Sequence, residues 1–443
     1  MKQQILEYTL NKSVGFFGIG KSNLALINEI SKYNSSITLR SDGKIEKSLP
    51  HERIFEGKCS CDEITEDVIF FSPSVRRDRQ ELLCALGRGV EFTSDLELFL
   101  KYNKQPLFTV TGTDGKTTTA FLSSRMLNEP DHPAAAIGNI GEPASLHIGD
   151  ERGTFVLEAS SFMLEYASPV SERAVITSLS PEHLAWHYGY DEYKRVKLKA
   201  LDNAKETVIS SDSEDLLDLA KGKKLFAVTG INTSVHRMKN RLSADYYFGV
   251  DNGYITENGR RLIAINELKK SEIYNIKSYL SALALTRGYT DEDRALKTIA
   301  DFGGIEHRGE IFLLKNDVRF INSSIDTSPT RTAETLRATT GNIILLLGGR
   351  SKGLDYTPLK AAIKKSKIKA IICFGEAGDE IFSALEERET MIKRTLDEAI
   401  DAAMSIAIKN DTVLLSPACT SFDEFSSFEE RGLFFKNRVF SSF

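Results

Sequence analysis

Leu107-Phe108-Thr109-Val110-Thr111-Gly112-Thr113-Asp114-Gly115-Lys116-Thr117-Thr118-Thr119 decides the fold class of this chain. An apolar, β-branched run ends in two glycines, and positions 117–127 then read as a helix. Strand, glycine turn and helix in that order open a βαβ unit, the building block of parallel sheets covered by helices. Such a turn also suits a phosphate. Its glycines let backbone N–H groups point inward, and the helix N-terminus adds the positive end of its dipole. Gly112, Thr113, Asp114, Gly115 and Thr118 would wrap a nucleotide's phosphates. Lys116 would reach the β- and γ-phosphates, and the Thr117 hydroxyl would meet Mg²⁺. The full G-x-x-x-x-G-K-[ST] spacing is not met, because Val110 stands where the first glycine belongs.

The same pattern occurs twice more, at Val14-Gly15-Phe16-Phe17-Gly18-Ile19-Gly20 and at Asn342-Ile343-Ile344-Leu345-Leu346-Leu347-Gly348-Gly349. Further short apolar runs fit additional parallel strands: 68–71, 154–157, 174–176, 207–209, 370–374 and 412–415. The whole reads as α/β. Polar Lys101-Tyr102-Asn103-Lys104-Gln105-Pro106 and glycine-rich Asp301-Phe302-Gly303-Gly304 suggest three domains, 1–103, 104–303 and 304–443. Residues 226–265, with the turns Asp251-Asn252-Gly253 and Glu257-Asn258-Gly259, read as a small β-rich appendage in the middle domain.

At 443 residues the chain has room for three domains. Hydrophobic residues at 41% and charged residues at 27% exclude a disordered or fibrous chain. Lys plus Arg number 57 against 62 Asp plus Glu, a net charge of -5, which gives no support to a nucleic-acid partner. No run approaches the ~20 apolar residues of a membrane span, and the first residues carry no cleavage signature. The five cysteines are scattered, so the expectation is reduced thiols, no disulfide framework and a cytoplasmic protein.

Other polar residues sit where parallel strands would end. Glu158-Ala159-Ser160-Ser161-Phe162 follows one strand, and Glu182-His183 follows another. A carboxylate and an imidazole at neighbouring strand ends would converge on the phosphate loop and could hold Mg²⁺. Gly18-Ile19-Gly20 with Asn23 is two-thirds of a dinucleotide fingerprint. Arg40-Ser41-Asp42 follows the next strand, where such a domain commonly holds a ribose or base. Lys197, in a basic helix at 193–199, has nothing local to distinguish it from a solvated lysine.

Taken in order, these pieces resemble the Mur ligase family, ATP-dependent amide-bond-forming enzymes of peptidoglycan synthesis. The motifs are the phosphate loop, Gly138-Asn139-Ile140-Gly141, Glu158-x-Ser160-Ser161-Phe162, Ser180-Pro181-Glu182-His183-Leu184, His307-Arg308 and 345–353. The last, 415–432, carries Ser416-Pro417-Ala418-Cys419-Thr420-Ser421-Phe422 and Phe428-x-x-Arg431-Gly432, and it narrows the resemblance to the member that uses D-glutamate. The resemblance implies an N-terminal Rossmann-like UDP domain, a central ATPase domain and a C-terminal Rossmann-like domain for the amino acid. It implies ATP and Mg²⁺ as cofactors, UDP-N-acetylmuramoyl-L-alanine and D-glutamate as substrates, and a monomer. It makes Lys116, Glu158, His183 and Lys197 the catalytic set. Thr117, Glu158, His183 and a carbamylated Lys197 would hold metal, and Asn275 and Arg308 would meet the nucleotide. Gly18, Arg40, Ser41, Ser72, Asn139, Ser160 and Ser161 would bind the UDP-sugar. Thr327, Lys352, Ser421, Phe422 and Phe428 would bind D-glutamate, with Lys352 as charge partner of a carboxylate.

Several positions depart from the family pattern. Asp114 replaces a usual Asn. Tyr274-Asn275-Ile276-Lys277-Ser278 replaces His-Asn-x-x-Asn, and Ala185 stands where Asp is common. Asn322-Ser323-Ser324-Ile325-Asp326-Thr327 replaces Asn-Asp-Ser-Lys-Ala-Thr, losing an acid and a lysine. They put nucleotide affinity in doubt more than the amino acid. Two other readings stand beside the ligase: a catalytically weak paralogue that binds nucleotide or UDP-sugar, and a ligase for another amino acid.

Overall fold

A computed structural model describes residues 2–45, 49–151, 153–220, 224–271, 273–385 and 390–443. They build three sheets in two compact units, Met1–Asp301 and Phe302–Phe443. The first sheet is wholly parallel, in the order Arg53–Glu56, Ile37–Ser41, Val14–Phe17, Val68–Phe71, Glu91–Thr93. Val14–Phe17 and Val68–Phe71 are buried at every position, which is why they read as unbroken apolar runs rather than alternating ones. Strand order reverses between these two. That reversal opens a crevice at their C-terminal ends, where Gly18 and Ser72 sit.

The second sheet has nine strands. Its parallel part runs Ser243–Asp251, Lys224–Gly230, Ala204–Ser210, Ser171–Ile176, Leu107–Thr111, Thr154–Glu158, Ala134–Gly138. Leu107–Thr111 therefore lies between Ser171–Ile176 and Thr154–Glu158, so the phosphate loop, Glu158 and the 177–183 segment all emerge on one edge. The expected β-rich appendage at 226–265 needs correction. Tyr254–Glu257 pairs antiparallel with Ser243–Asp251, Arg260–Ala264 pairs antiparallel with Tyr254–Glu257, and the two extend the central sheet itself. Asn252 and Asn258 have left-handed φ of 46° and 53°, as tight hairpin turns require.

The expected break at 103/104 falls between the helix Asp95–Tyr102 and the strand Leu107–Thr111. One buried cluster spans both sides of it, with Phe16, Leu39 and Phe99 packed together with Phe155 and Leu164. The two sheets thus share one core.

In the second unit the order is Glu310–Lys315, Val318–Asn322, Asp411–Ala418, Asn342–Gly348, Ile368–Phe374, Thr390–Ile392, parallel except for the first pair. Among the described residues no helix is long and apolar enough to cross a membrane. The cysteines bring a second correction. Cys61 and Cys84 form a disulfide across a Cα separation of 5.9 Å, while Cys59, Cys373 and Cys419 stay free. The short 3-10 turn Cys61–Glu63 packs against the helix Gln80–Gly87, a proximity that a sequence separation of 23 does not disclose.

Candidate active site

The phosphate loop is held from both sides. Gly112 has φ +147°, and a Cβ there would lie 2.1 Å from Thr177 Oγ1, so only glycine lets the loop pass this close to the neighbouring strand end. The Thr113 N–H donates to the Ser178 carbonyl at 3.0 Å, and the Asp114 N–H donates to Ser178 Oγ at 2.7 Å. Asp114 itself is exposed, so its carboxylate points to solvent. Gly115 caps the helix Lys116–Leu127, and Lys116 Nζ donates to the Thr113 carbonyl at 2.6 Å.

Glu158 ends its strand fully buried. Its Oε1 accepts from Thr117 Oγ1 at 3.2 Å and from Asn139 Nδ2 at 2.7 Å. Its Oε2 is buried with no hydrogen-bond partner among the described residues. A buried carboxylate oxygen left unpaired is costly, and a divalent cation would satisfy it. Lys197, on the helix Tyr190–Asp202, is only 2% exposed and donates to the Gly112 carbonyl at 2.6 Å. Burial, and then the charge of Lys116, bring its pKa down from 10.5 to about 7. It is no solvated lysine.

His183, unlike these buried groups, faces solvent. It has a left-handed φ of 53°, is exposed, and lays its ring 4.8 Å from that of Phe162. Among the described residues no three His, Cys, Asp or Glu side chains are gathered closely enough to hold a metal. Asn275, on the helix Ile273–Thr286, is 4% exposed. Ser278, one turn on, would stand 3.3 Å from a Cβ at Gly115, so this helix backs the loop. Ser160 Oγ caps the helix Ser161–Tyr166, accepting from the Met163 N–H.

Sequence reasoning passed over four residues. Thr177 and Ser178 clamp the loop, and their position just past a strand was the only signal. Tyr193 places its hydroxyl 3.0 Å from Thr113 Oγ1. His187 is fully buried against Phe162 and Tyr193, neither ring nitrogen has a hydrogen-bond partner among the described residues, and burial, then His183, lower its pKa to about 4.

In the first sheet's crevice, Ser72 Oγ donates to the Gly18 carbonyl at 2.8 Å, and Asn23 Nδ2 donates to the same carbonyl at 2.7 Å. Ser41 lies at the adjacent strand end, its Oγ accepting from the Gly43 N–H at 3.1 Å. Arg40 is a correction. It is 1% exposed, ion-paired to buried Glu66 at 2.9 Å and stacked on Phe55, so it braces the sheet instead of facing a ligand.

In the second unit, Lys352 Nζ donates to Thr327 Oγ1 at 3.1 Å. Ser421 is buried, Phe422 is 58% exposed, and Phe428 sets its ring edge-on to His307. Arg308 is exposed and follows His307, whose φ is 62°. Arg431, wholly buried, donates to Ser324 Oγ and to the carbonyls of Ser324, Cys419 and Thr420, tying the strand-end loops together.

Residues 110–282 match the Mur ligase middle domain and 307–419 the Mur ligase, glutamate ligase domain. The UDP-N-acetylmuramoylalanine--D-glutamate ligase of Ruminiclostridium cellulolyticum is 32% identical, covering 99% of this chain and 98% of its own length. That of Clostridium botulinum strain Kyoto is 34% identical over 97% and 96%. The chain belongs to the Mur ligase family. Like other Mur ligases it is an ATP-dependent amide-bond-forming enzyme. Its fold is likewise similar to the Thermotoga maritima UDP-N-acetylmuramate-alanine ligase MurC (TM-score 0.58, 19% identity, 98% and 100% covered). It is also similar to E. coli FolC in complex with DHPP and ADP (TM-score 0.53, 16% identity, 78% and 91% covered).

Proposed function

We propose that this protein joins D-glutamate to UDP-N-acetylmuramoyl-L-alanine at the expense of ATP, as a monomer in the cytoplasm. End-to-end kinship with ligases of that name carries the reading. The site's chemistry supports it. ATP lies on the phosphate loop, with Lys116 on the transferring phosphoryl group, Thr118 at the helix N-terminus, and Asn275 and Arg308 toward the nucleotide. The UDP-sugar occupies the crevice of Gly18, Ser41 and Ser72, with Asn139, Ser160 and Ser161 toward its reacting end. The L-alanyl carboxylate attacks the γ-phosphorus, giving an acyl phosphate and ADP. The neutral amine of D-glutamate then attacks the acyl carbon, and inorganic phosphate leaves.

Residues Thr117, Glu158, His183 and carbamylated Lys197 would hold Mg²⁺, and the buried Oε2 of Glu158 fits such a role. When bound, Mg²⁺ neutralises charge on the phosphates. A lysine with a pKa of about 7 has a substantial neutral fraction near neutral pH, as addition to CO₂ requires. The middle domain would run 104–303, with the flanking domains at 1–103 and 304–443.

Phosphate release is the test, measured with ATP and UDP-N-acetylmuramoyl-L-alanine, with and without D-glutamate. Release that depends on D-glutamate is expected. Release indifferent to it, or none, would favour a binding paralogue or another amino acid.

A further inference from the structure

D-Glutamate carries two carboxylates, whereas Lys352 supplies one charge. The cations at the strand ends of the second unit can be sorted by what already occupies them. Arg350 makes a two-pronged pair with Glu376 at 2.8 and 2.9 Å. Arg431 is sealed among hydroxyl and carbonyl oxygens. Lys352 and Arg331 are different. Both are exposed, and among the described residues neither makes an ion pair with a carboxylate, not even Arg331 with Glu334 one turn further along its helix.

Arg331 lies in the first turn of the helix Pro329–Ala338, four residues after Thr327. Its Nη1 donates to the Ile325 carbonyl at 3.4 Å, and the Ile325 carbonyl also accepts from the Thr327 N–H at 2.8 Å. The guanidinium is thereby folded back onto the loop that carries Thr327, which Lys352 touches. Partial desolvation of the Lys352 ammonium by the protein around it, and then the Arg331 charge, lower its pKa, so the two cations share one neighbourhood. The acid that could have neutralised them faces away. Asp326 is 4% exposed, and its Oδ2 accepts from Thr335 Oγ1 and Ser416 Oγ, both at 2.7 Å. Two like charges held together without an acid are unfavourable, and a dianion would relieve them.

We infer that Arg331 is a specificity-determining residue of the amino-acid site: Lys352 with Thr327 takes one carboxylate of D-glutamate, and the Arg331 fork takes the other. This rests on the proposed ligase function. An arginine is suited to the role because its planar fork matches a carboxylate in two-pronged fashion.

The test uses the full-length enzyme, with Arg331→Ala and Arg331→Lys, and with D-glutamine and D-isoglutamine as substrates lacking one charge or the other. Arg331→Ala is expected to raise the KM for D-glutamate about tenfold or more, without a matching rise for ATP or the UDP-sugar. Arg331→Lys should recover part of it. The wild-type preference for D-glutamate over one of the two amides should disappear in Arg331→Ala and over the other in Lys352→Ala. An unchanged KM for D-glutamate, an equal rise for ATP, or undiminished selectivity against both amides would overturn the inference. If the wild-type enzyme releases no phosphate in response to D-glutamate, the ligase reading fails instead.

Discussion

Where the strands Leu107–Thr111 and Asn342–Gly348 end the chain makes the same move, a glycine (Gly112, Gly348) followed four residues later by a lysine. The causes are also alike. At Gly348, with φ +158°, a Cβ would lie 2.1 Å from the Phe374 carbonyl oxygen on the adjacent parallel strand, as one at Gly112 would lie 2.1 Å from Thr177 Oγ1. The two chains of residues then diverge. At Lys116 a helix begins at once, so backbone N–H groups and lysine converge on one small volume, which suits phosphate. After Gly349 the chain has no regular structure until the helix Thr357–Ile363, and Lys352 crosses to Thr327 on another loop. That wider arrangement suits a carboxylate. Under the proposed function one opening pattern serves two chemistries, and the distance from lysine to helix decides which.

The comparison breaks most visibly at the first lysine. Lys116→Ala should lower kcat/KM by about 10²–10³-fold, because the charge of the transferring phosphoryl group loses a fixed partner. Its fold should survive, which the thermal midpoint would show. Retained turnover would remove the phosphate-loop assignment.

Lys352→Ala should act on a different substrate. Its KM for D-glutamate should rise by about 30-fold, with that for ATP little changed, since a carboxylate is left unpaired. An effect confined to ATP would mean that the two lysines do not divide the substrates.

The third prediction concerns Lys197, whose amine is neutral above a pKa of about 7 and protonated below it. Carbamylation needs the neutral form, so the carbamate signal with ¹³C-labelled CO₂ should grow as pH rises through about 7. Below that it should fall about tenfold per pH unit. A midpoint near the ordinary lysine value would show that burial does not prepare this amine.

The smallest effect is expected at the clamp. Thr177→Val removes a hydroxyl that donates to loop carbonyls, worth about 1 kcal/mol, and should raise the KM for ATP about fivefold. No change would place the loop's rigidity in its glycines alone.

The amino-acid sequence alone carried the strands, because central parallel strands are buried on both faces and read as unbroken apolar runs, as Val68–Phe71 does. It carried the glycine turn between the strand Leu107–Thr111 and the helix Lys116–Leu127 too, since glycine spacing is local chemistry, and the family motifs, which are local as well. Only the tertiary structure decided the rest. Lys197 reads as a solvated lysine until the helix Tyr190–Asp202 buries it against the Gly112 carbonyl, and Arg40 reads as a ligand-facing cation until Glu66 takes it. Cys61 and Cys84 meet only because a turn and a helix pack together, and the strands after 243 join the central sheet because hydrogen bonds to a distant edge are available. Burial and pairing are properties of neighbours in space, and those neighbours lie tens of residues away in the chain.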